Sequence, residues 1–161
     1  MFIRPATAAD AAAICDIWNR FIRTTDITFT DKEKTTKQVV EMMRLCAAEH
    51  RPFLVLETET VAGFATYAQF RPGPGYAATM EQTIYLSSKA KGQGHGKTLA
   101  NALEREAQNH GVRSLIAAIS ASNLDAISFH RDIGFMPVGQ IPQAGEKHGR
   151  VLDLVLLQKL L

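Results

Sequence analysis

The chain has 161 residues, enough for one domain with its own core, so residues 1–161 are expected to form a single unit. Apolar residues make up 46% and charged residues 21%, the balance of a globular chain rather than a disordered one. A formal net charge of +2 argues against a nucleic-acid or anionic-membrane partner, and no apolar run is long enough to span a bilayer.

Residues 2–4 read as a short first strand. Thr7 and Asp10 then have the spacing of a capping box, with Asp in place of Glu. A helix follows to about Phe21, with Ile14, Ile17, Trp18 and Phe21 on one face. Residues 23–30 are Thr-rich without a period and read as loop. Residues 35–49 read as a second helix with Val39, Met42, Met43 and Cys46 inward.

The pattern then changes to strands. Residues 53–57 and 61–70 form two strands joined by a turn at 58–60. Residues 71–75 carry Pro and Gly, which suit no strand interior, so they form a loop. Another strand covers about 79–86, and after a Gly-rich turn a helix covers 99–110, with Leu99, Leu103 and Ala107 in register. Gly111 fits the position after its end. A buried strand (114–119), a short helix (124–132) closed by Gly134, and strands at 135–138 and 150–158 complete the chain. The order β-α-α-β-β-β-α-β-α-β-β is that of a mixed α/β domain with one central sheet. Its early strands can pair by hairpins, whereas the later strand–helix–strand unit calls for a crossover.

The N-terminus lacks the basic-then-apolar order of a signal peptide. The two cysteines, Cys15 and Cys46, have no CxxC spacing. Reduced thiols and a cytoplasmic location are expected. No His/Cys cluster has metal-ligand spacing, so no metal is expected.

Lys89-Ala90-Lys91-Gly92-Gln93-Gly94-His95-Gly96-Lys97-Thr98 carries the chemistry. A helix N-terminus offers unpaired N–H groups and a positive dipole end to an anion. Glycines let phosphates approach the backbone. The G-x-x-x-x-G-K-[ST] loop fails here, because its first glycine would fall on Lys91. The dinucleotide pattern G-x-G-x-x-G/A fails too, with Lys97 or Leu99 at its last position.

Lys91-Gly92-Gln93-Gly94-His95-Gly96 instead resembles the Q/R-x-x-G-x-G/A pyrophosphate loop of the GNAT acetyltransferases, with Lys91 where that family prefers Arg or Gln. Asn123 matches the family's Asn after the next strand. His130-Arg131-Asp132-Ile133-Gly134-Phe135 matches its Y/H-x-x-x-G-F helix ending, and Ile3-Arg4-Pro5-Ala6-Thr7-x-x-Asp10 its usual opening. Residues 70–86 and 145–153 are similar to the phosphinothricin/methionine sulfoximine acetyltransferases, except that Val151 stands where that subfamily often has Trp.

The resemblance implies a GNAT fold, with a mostly antiparallel twisted sheet of about seven strands and about four helices. It also implies direct transfer of acetyl from acetyl-CoA to a primary amine, and a homodimer. Lys91, Gly92, Gln93, Gly94, His95, Gly96, Lys97 and Asn123 would hold the CoA phosphates and adjoining groups. The backbone of Ile84, Tyr85 and Leu86 would pair with the pantetheine arm. Glu81 would be the general base, since an amine must be neutral to attack. The Leu86 N–H would polarise the thioester carbonyl. His130, at the place of the family's Tyr, would protonate the departing thiolate.

Arg71 and Tyr76 flank the Pro/Gly loop, and an Arg fork suits a carboxylate or phosphinate. With Phe29 and Thr83 they would form the acceptor site. Taken singly, each residue has a plainer reading: Glu81 as a solvated strand carboxylate, Arg71 as a loop cation, Phe29 as core, His130 as a packing side chain. Two other readings stay open: an acetyltransferase for another small amine or a protein N-terminus, and a non-catalytic acyl-CoA-binding module.

Overall fold

The computed structural model describes residues 1–161. The elements, in chain order, are β1 (Phe2–Pro5), α1 (Ala11–Thr24), α2 (Thr36–Ala48), β2 (Phe53–Glu57), β3 (Val61–Gln69), β4 (Thr79–Leu86), α3 (His95–Asn109), β5 (Ser114–Ser120), α4 (Leu124–Asp132), β6 (Met136–Lys147) and β7 (Arg150–Leu160). The strands form one seven-stranded sheet in the order β1-β2-β3-β4-β5-β7-β6. Only β4 and β5 run parallel, joined by the crossover helix α3. The expected mixed α/β fold and its element order are both found.

Each face of the sheet packs against one pair of helices. α1 and α2 cover one face through Ile14, Trp18, Ile22 and Val39, which meet Phe53, Val55 and Phe64. α3 covers the other through Leu99, Leu103 and Ala107, which meet Leu54, Leu56 and Leu115. Leu99 and Leu103 are fully buried, and each such side chain contributes about 1.5–3 kcal/mol by leaving water. The start of α1 is fixed by Asp10, whose carboxylate accepts from the Thr7 N–H at 2.7 Å and from both Arg4 terminal nitrogens at 2.8 Å. Thr35 and Gln38 cap α2 in the same reciprocal way.

Two boundaries differ from the sequence reading by four residues or more, for identifiable reasons. α3 begins at His95, four positions before the apolar register starts, because Gly94 turns the chain with φ +77° and the helix opens inside the Gly-rich stretch. β6 runs on to Lys147, not to Val138. Its Gly and Pro residues hide a strand that is sustained by pairing with β7 across a register shift between Ile141 and Gly145. Asp153 satisfies that irregular stretch, accepting from the Gln143 N–H at 2.8 Å and from Gln140 Nε2 at 3.1 Å.

Candidate active site

The parallel pairing of β4 with β5 covers only Thr79, Met80 and Glu81 on β4. Beyond that point β4 stays on β3, and β5 stays on β7 as far as Ser120. The two strands therefore part, and the gap between them opens into a cleft of about 1180 Å³. Its volume exceeds that of a usual single-ligand pocket of about 300–1,000 Å³, so it has room for a donor and an acceptor together.

Strand alternation decides what faces this gap. The Thr79 carbonyl accepts from the Phe70 N–H, and the Ser87 N–H donates to Ala62, so odd-numbered residues direct their peptide groups to β3. The N–H and C=O groups of Gln82, Ile84 and Leu86 point the other way, toward the gap where β5 no longer pairs. They form a free strand edge against which an extended chain carrying amides can lie.

At the splayed end, Lys91, Gly92, Gly94, Gly96 and Lys97 line the cleft. The N–H of Thr98 is the first to bond back into α3, to the Gly94 carbonyl, so those of His95, Gly96 and Lys97 are the open donors of the helix start. Gly92 and Gly94 both hold φ +77°, which L side chains adopt only with strain. A Cβ on Gly96 would meet Phe129 Cε2 at 3.3 Å and Leu86 Cδ1 at 3.4 Å, so a larger residue would fill the cradle. Gln93 does not reach the cleft; its Nε2 donates to the Lys89 carbonyl at 2.8 Å and closes the turn. His95 is not a lining residue, and its Nδ1 is buried without a partner.

At the closed end stands Glu81. Its side chain is half-buried, and burial alone pushes its carboxyl above the ordinary value, with no cation to offset it. Thr83 shares its wall. Tyr85 on the same face packs its ring against Phe21 at 5.0 Å, Phe64 at 5.5 Å and Trp18 at 5.8 Å, and burial pushes its phenol up to about 12. Phe29 and Arg71 also line the cleft, and Arg71 follows Phe70, whose N–H donates to Thr79 at the closed end. The Arg71 guanidinium stacks over Phe70 at 5.5 Å. Tyr76 lies apart from the cleft on an exposed 3-10 turn, Pro74–Tyr76.

α4 supplies the opposite wall. Asn123 caps it, accepting from the Ala126 N–H at 3.2 Å, and also lines the cleft. His130 is buried between Phe129 and Phe135, both edge-on at about 5 Å. Its Nδ1 lies 2.7 Å from the Ala126 carbonyl, and a carbonyl only accepts, so Nδ1 carries the proton. Burial pulls the imidazole pKa down. The neutral ring therefore presents Nε2 as an acceptor, and proton donation from that atom would require the imidazolium.

Sequence reasoning passed over two residues. Gln82 is buried and lines the cleft, and its Nε2 has no partner. A mid-strand Gln on the same strand face as the apolar Met80 and Ile84 is the only signal. Lys147 is buried at the end of β6, in a segment quoted for its resemblance but assigned no role. Open helix N–H groups, lysines, a Gly cradle and a free strand edge suit a ligand with phosphates at one end and amides along its length. The orphaned Gln82 amide fits such a ligand as well.

Residues 3–156 match the family model described as acetyltransferase (GNAT) domain. Phosphinothricin N-acetyltransferase of Streptomyces viridochromogenes is 34% identical, over 98% of this chain and 86% of that protein. L-methionine sulfoximine/L-methionine sulfone acetyltransferase of Pseudomonas paraeruginosa is 33% identical, over 97% and 92%. Among solved structures, ribosomal-protein-alanine N-acetyltransferase from Brucella melitensis superimposes with TM-score 0.97 at 36% identity over all of both chains. The protein yncA from Salmonella typhimurium, solved with its cofactor acetyl-CoA, superimposes with TM-score 0.95 at 32% identity, over 99% of this chain and 93% of that one. With a parallel strand pair that parts above a Gly-rich helix start, and a family match across nearly its whole length, the chain belongs to the GNAT acetyltransferases.

Proposed function

We propose that this acetyltransferase acts on the amino group of a small amino-acid-like acceptor, of the phosphinothricin or methionine sulfoximine type. The reading rests above all on one arrangement: an unpaired, half-buried carboxylate, Glu81, at the closed end of the cleft whose other end is the Gly-rich helix start. The names of the two curated relatives support the acceptor class.

Acetyl-CoA, when bound, supplies an acetyl thioester activated for attack by an amine. The helix-start N–H groups with Lys91 and Lys97 would hold its phosphates, and the free edge of β4 its amide-bearing arm. Glu81 takes the proton that an acceptor ammonium must lose, directly or through water. Arg71 pairs with the acceptor's acidic group and Phe29 with its side chain. Thr83 joins them on the same wall, whereas Tyr76 would need the 3-10 turn to move.

An N–H facing the gap polarises the acetyl oxygen. Leu86 lies about 16 Å along the strand from Glu81, and Ile84 about 10 Å. The shorter span favours the Ile84 N–H for this task and leaves Leu86 to the arm. Neutral His130 accepts a hydrogen bond at Nε2, so the departing thiolate draws its proton from water or from a proton passed through that nitrogen.

A protein N-terminus as acceptor is the second reading, favoured by the likeness to the Brucella structure. An acetyl-CoA consumption screen separates the two. Methionine sulfoximine, methionine sulfone, phosphinothricin, ordinary amino acids and N-terminal peptides are offered in parallel. Turnover of peptides alone would overturn the small-acceptor reading.

We also place the protein in the cytoplasm, consistent with both cysteines being free. A homodimer is proposed through β6–β7, where an edge strand leaves Met136, Val138 and Val151 exposed. Light scattering in solution tests it, and a monomer at micromolar concentration would refute it.

A further inference from the structure

The tip of the β6–β7 hairpin is bolted to the loop between α1 and α2 by three of its residues. Lys147, only 3% exposed, donates from Nζ to the Thr25 carbonyl at 2.7 Å and to Thr28 Oγ1 at 2.9 Å. Arg150, which pairs with Lys147 across the hairpin, forms an ion pair with Asp26. Gly145 lies flat against Phe29: a Cβ there would stand 2.4 Å from Phe29 Cδ2 and 3.0 Å from Cγ. Because Cγ sits at the root of the ring, the whole phenyl group would have to move.

A buried ammonium is costly and weak evidence for stability. Burial pushes its pKa down, while Asp26 and Asp31 pull it up. Its two hydrogen bonds instead fix the backbone at residue 25 and the side chain at residue 28, directly before Phe29. Thr28, Phe29 and Thr30 all line the cleft.

We propose that Lys147 and Gly145 are positioning residues that seat Phe29 and thereby set the size of acceptor side chain admitted. This rests on the acceptor reading given above. Loss of Lys147 frees the loop. A side chain at 145 drives the ring into the cleft and shortens the pocket.

The test combines steady-state kinetics and hydrogen exchange on Gly145→Ala, Lys147→Met and Gly145→Ala/Phe29→Leu. Gly145→Ala should raise the KM for methionine sulfone about tenfold, since a pocket misfit of one methylene is worth roughly 10- to 200-fold in discrimination. The KM values for alanine and for acetyl-CoA should stay within about threefold, an ordinary surface-scale change. The added Phe29→Leu should restore methionine sulfone. Equal shifts for both acceptors, a matching shift for acetyl-CoA, or no shift at all would overturn the proposal.

In Lys147→Met, amides of residues 25–30 should exchange about tenfold faster, the scale of a lost charged hydrogen bond. Unchanged exchange in a folded variant also overturns the proposal. If the wild-type protein acetylates neither amino acid, the acceptor reading fails by itself. Exchange in Gly145→Ala and Lys147→Met then still decides whether the clamp holds the loop.

Discussion

His130 donates its Nδ1 proton to the carbonyl oxygen of Ala126 at 2.7 Å, one helical turn earlier, and this bond fixes which nitrogen faces the cleft with a lone pair. Burial lowers the imidazole pKa below its ordinary 6.5, so the ring is neutral at physiological pH. Were its imidazolium the required acid, rate would fall as pH rises through that depressed value. With neutral His130 and ionised Glu81 as the working forms, both groups instead contribute to the acid side. The expected profile of kcat/KM therefore rises with pH as Glu81 and His130 lose their protons and then stays level. His130→Gln, which keeps an acceptor without an ionisation, should retain most activity at pH 8, where His130→Phe should lose more. A peak below pH 6.5 that vanishes in His130→Gln would restore the acid role.

In the proposed reaction Glu81 carries the heaviest chemical demand. Its carboxyl is raised above 4.5 by burial alone, which makes it a better proton acceptor than a solvated carboxylate. Glu81→Gln keeps the shape and removes the proposed base. General base catalysis is worth about 10²–10⁴-fold, so kcat should fall by about that factor. Acetyl-CoA affinity, measured by calorimetry, should stay unchanged because the phosphate end is distant. Wild-type turnover in Glu81→Gln would take the residue out of the mechanism.

The core and the element order were readable because they follow from period and burial. Ile14, Trp18, Leu99 and Leu103 repeat at helical spacing and are all buried. Period carries no information on where two paired strands separate. That Thr79, Met80 and Glu81 pair with β5, and the residues after them do not, is decided by how β5 follows β7. The cleft is therefore a tertiary consequence. The Gly-rich loop was visible as spacing, but the helix start at His95 needed the φ of Gly94. Lys147 was illegible as a buried cation, since Lys in a polar hairpin ordinarily faces water.

The Gly-rich helix start makes a separable prediction about affinity. Gly94 holds φ +77° with nothing within 4 Å of a built Cβ, so Gly94→Val strains the backbone rather than clashing. Gly96→Val has an ordinary φ but drives methyl groups onto Phe129 and Leu86. Positive φ at a β-branched residue costs roughly 1–2 kcal/mol, so Gly94→Val should lower thermal stability and weaken CoA binding about tenfold or more. Gly96→Val should weaken CoA binding by a similar factor with a smaller stability loss. Titration with CoA and thermal melts distinguish the two, and unaltered CoA affinity in both would remove the loop from the phosphate site.

Gln82 sets stability against binding. Its Nε2 is buried on the wall of the cleft without a hydrogen-bond partner. Leaving such a group unsatisfied costs about 1–3 kcal/mol, and replacing it with an apolar group of similar shape removes that cost. Gln82→Leu should therefore melt higher than the wild type in the absence of ligand, by several degrees for a domain of this length. If the amide is kept for the acyl-CoA arm, the same substitution should weaken acetyl-CoA binding about tenfold, the scale of one hydrogen bond to a desolvated acceptor. Melting curves with and without saturating acetyl-CoA measure both effects at once, because bound ligand stabilises in proportion to its affinity. The free variant should start higher and gain less from the ligand. An equal gain in both proteins would mean that the Gln82 amide finds no partner in the bound donor, and the orphan would then be only a packing cost.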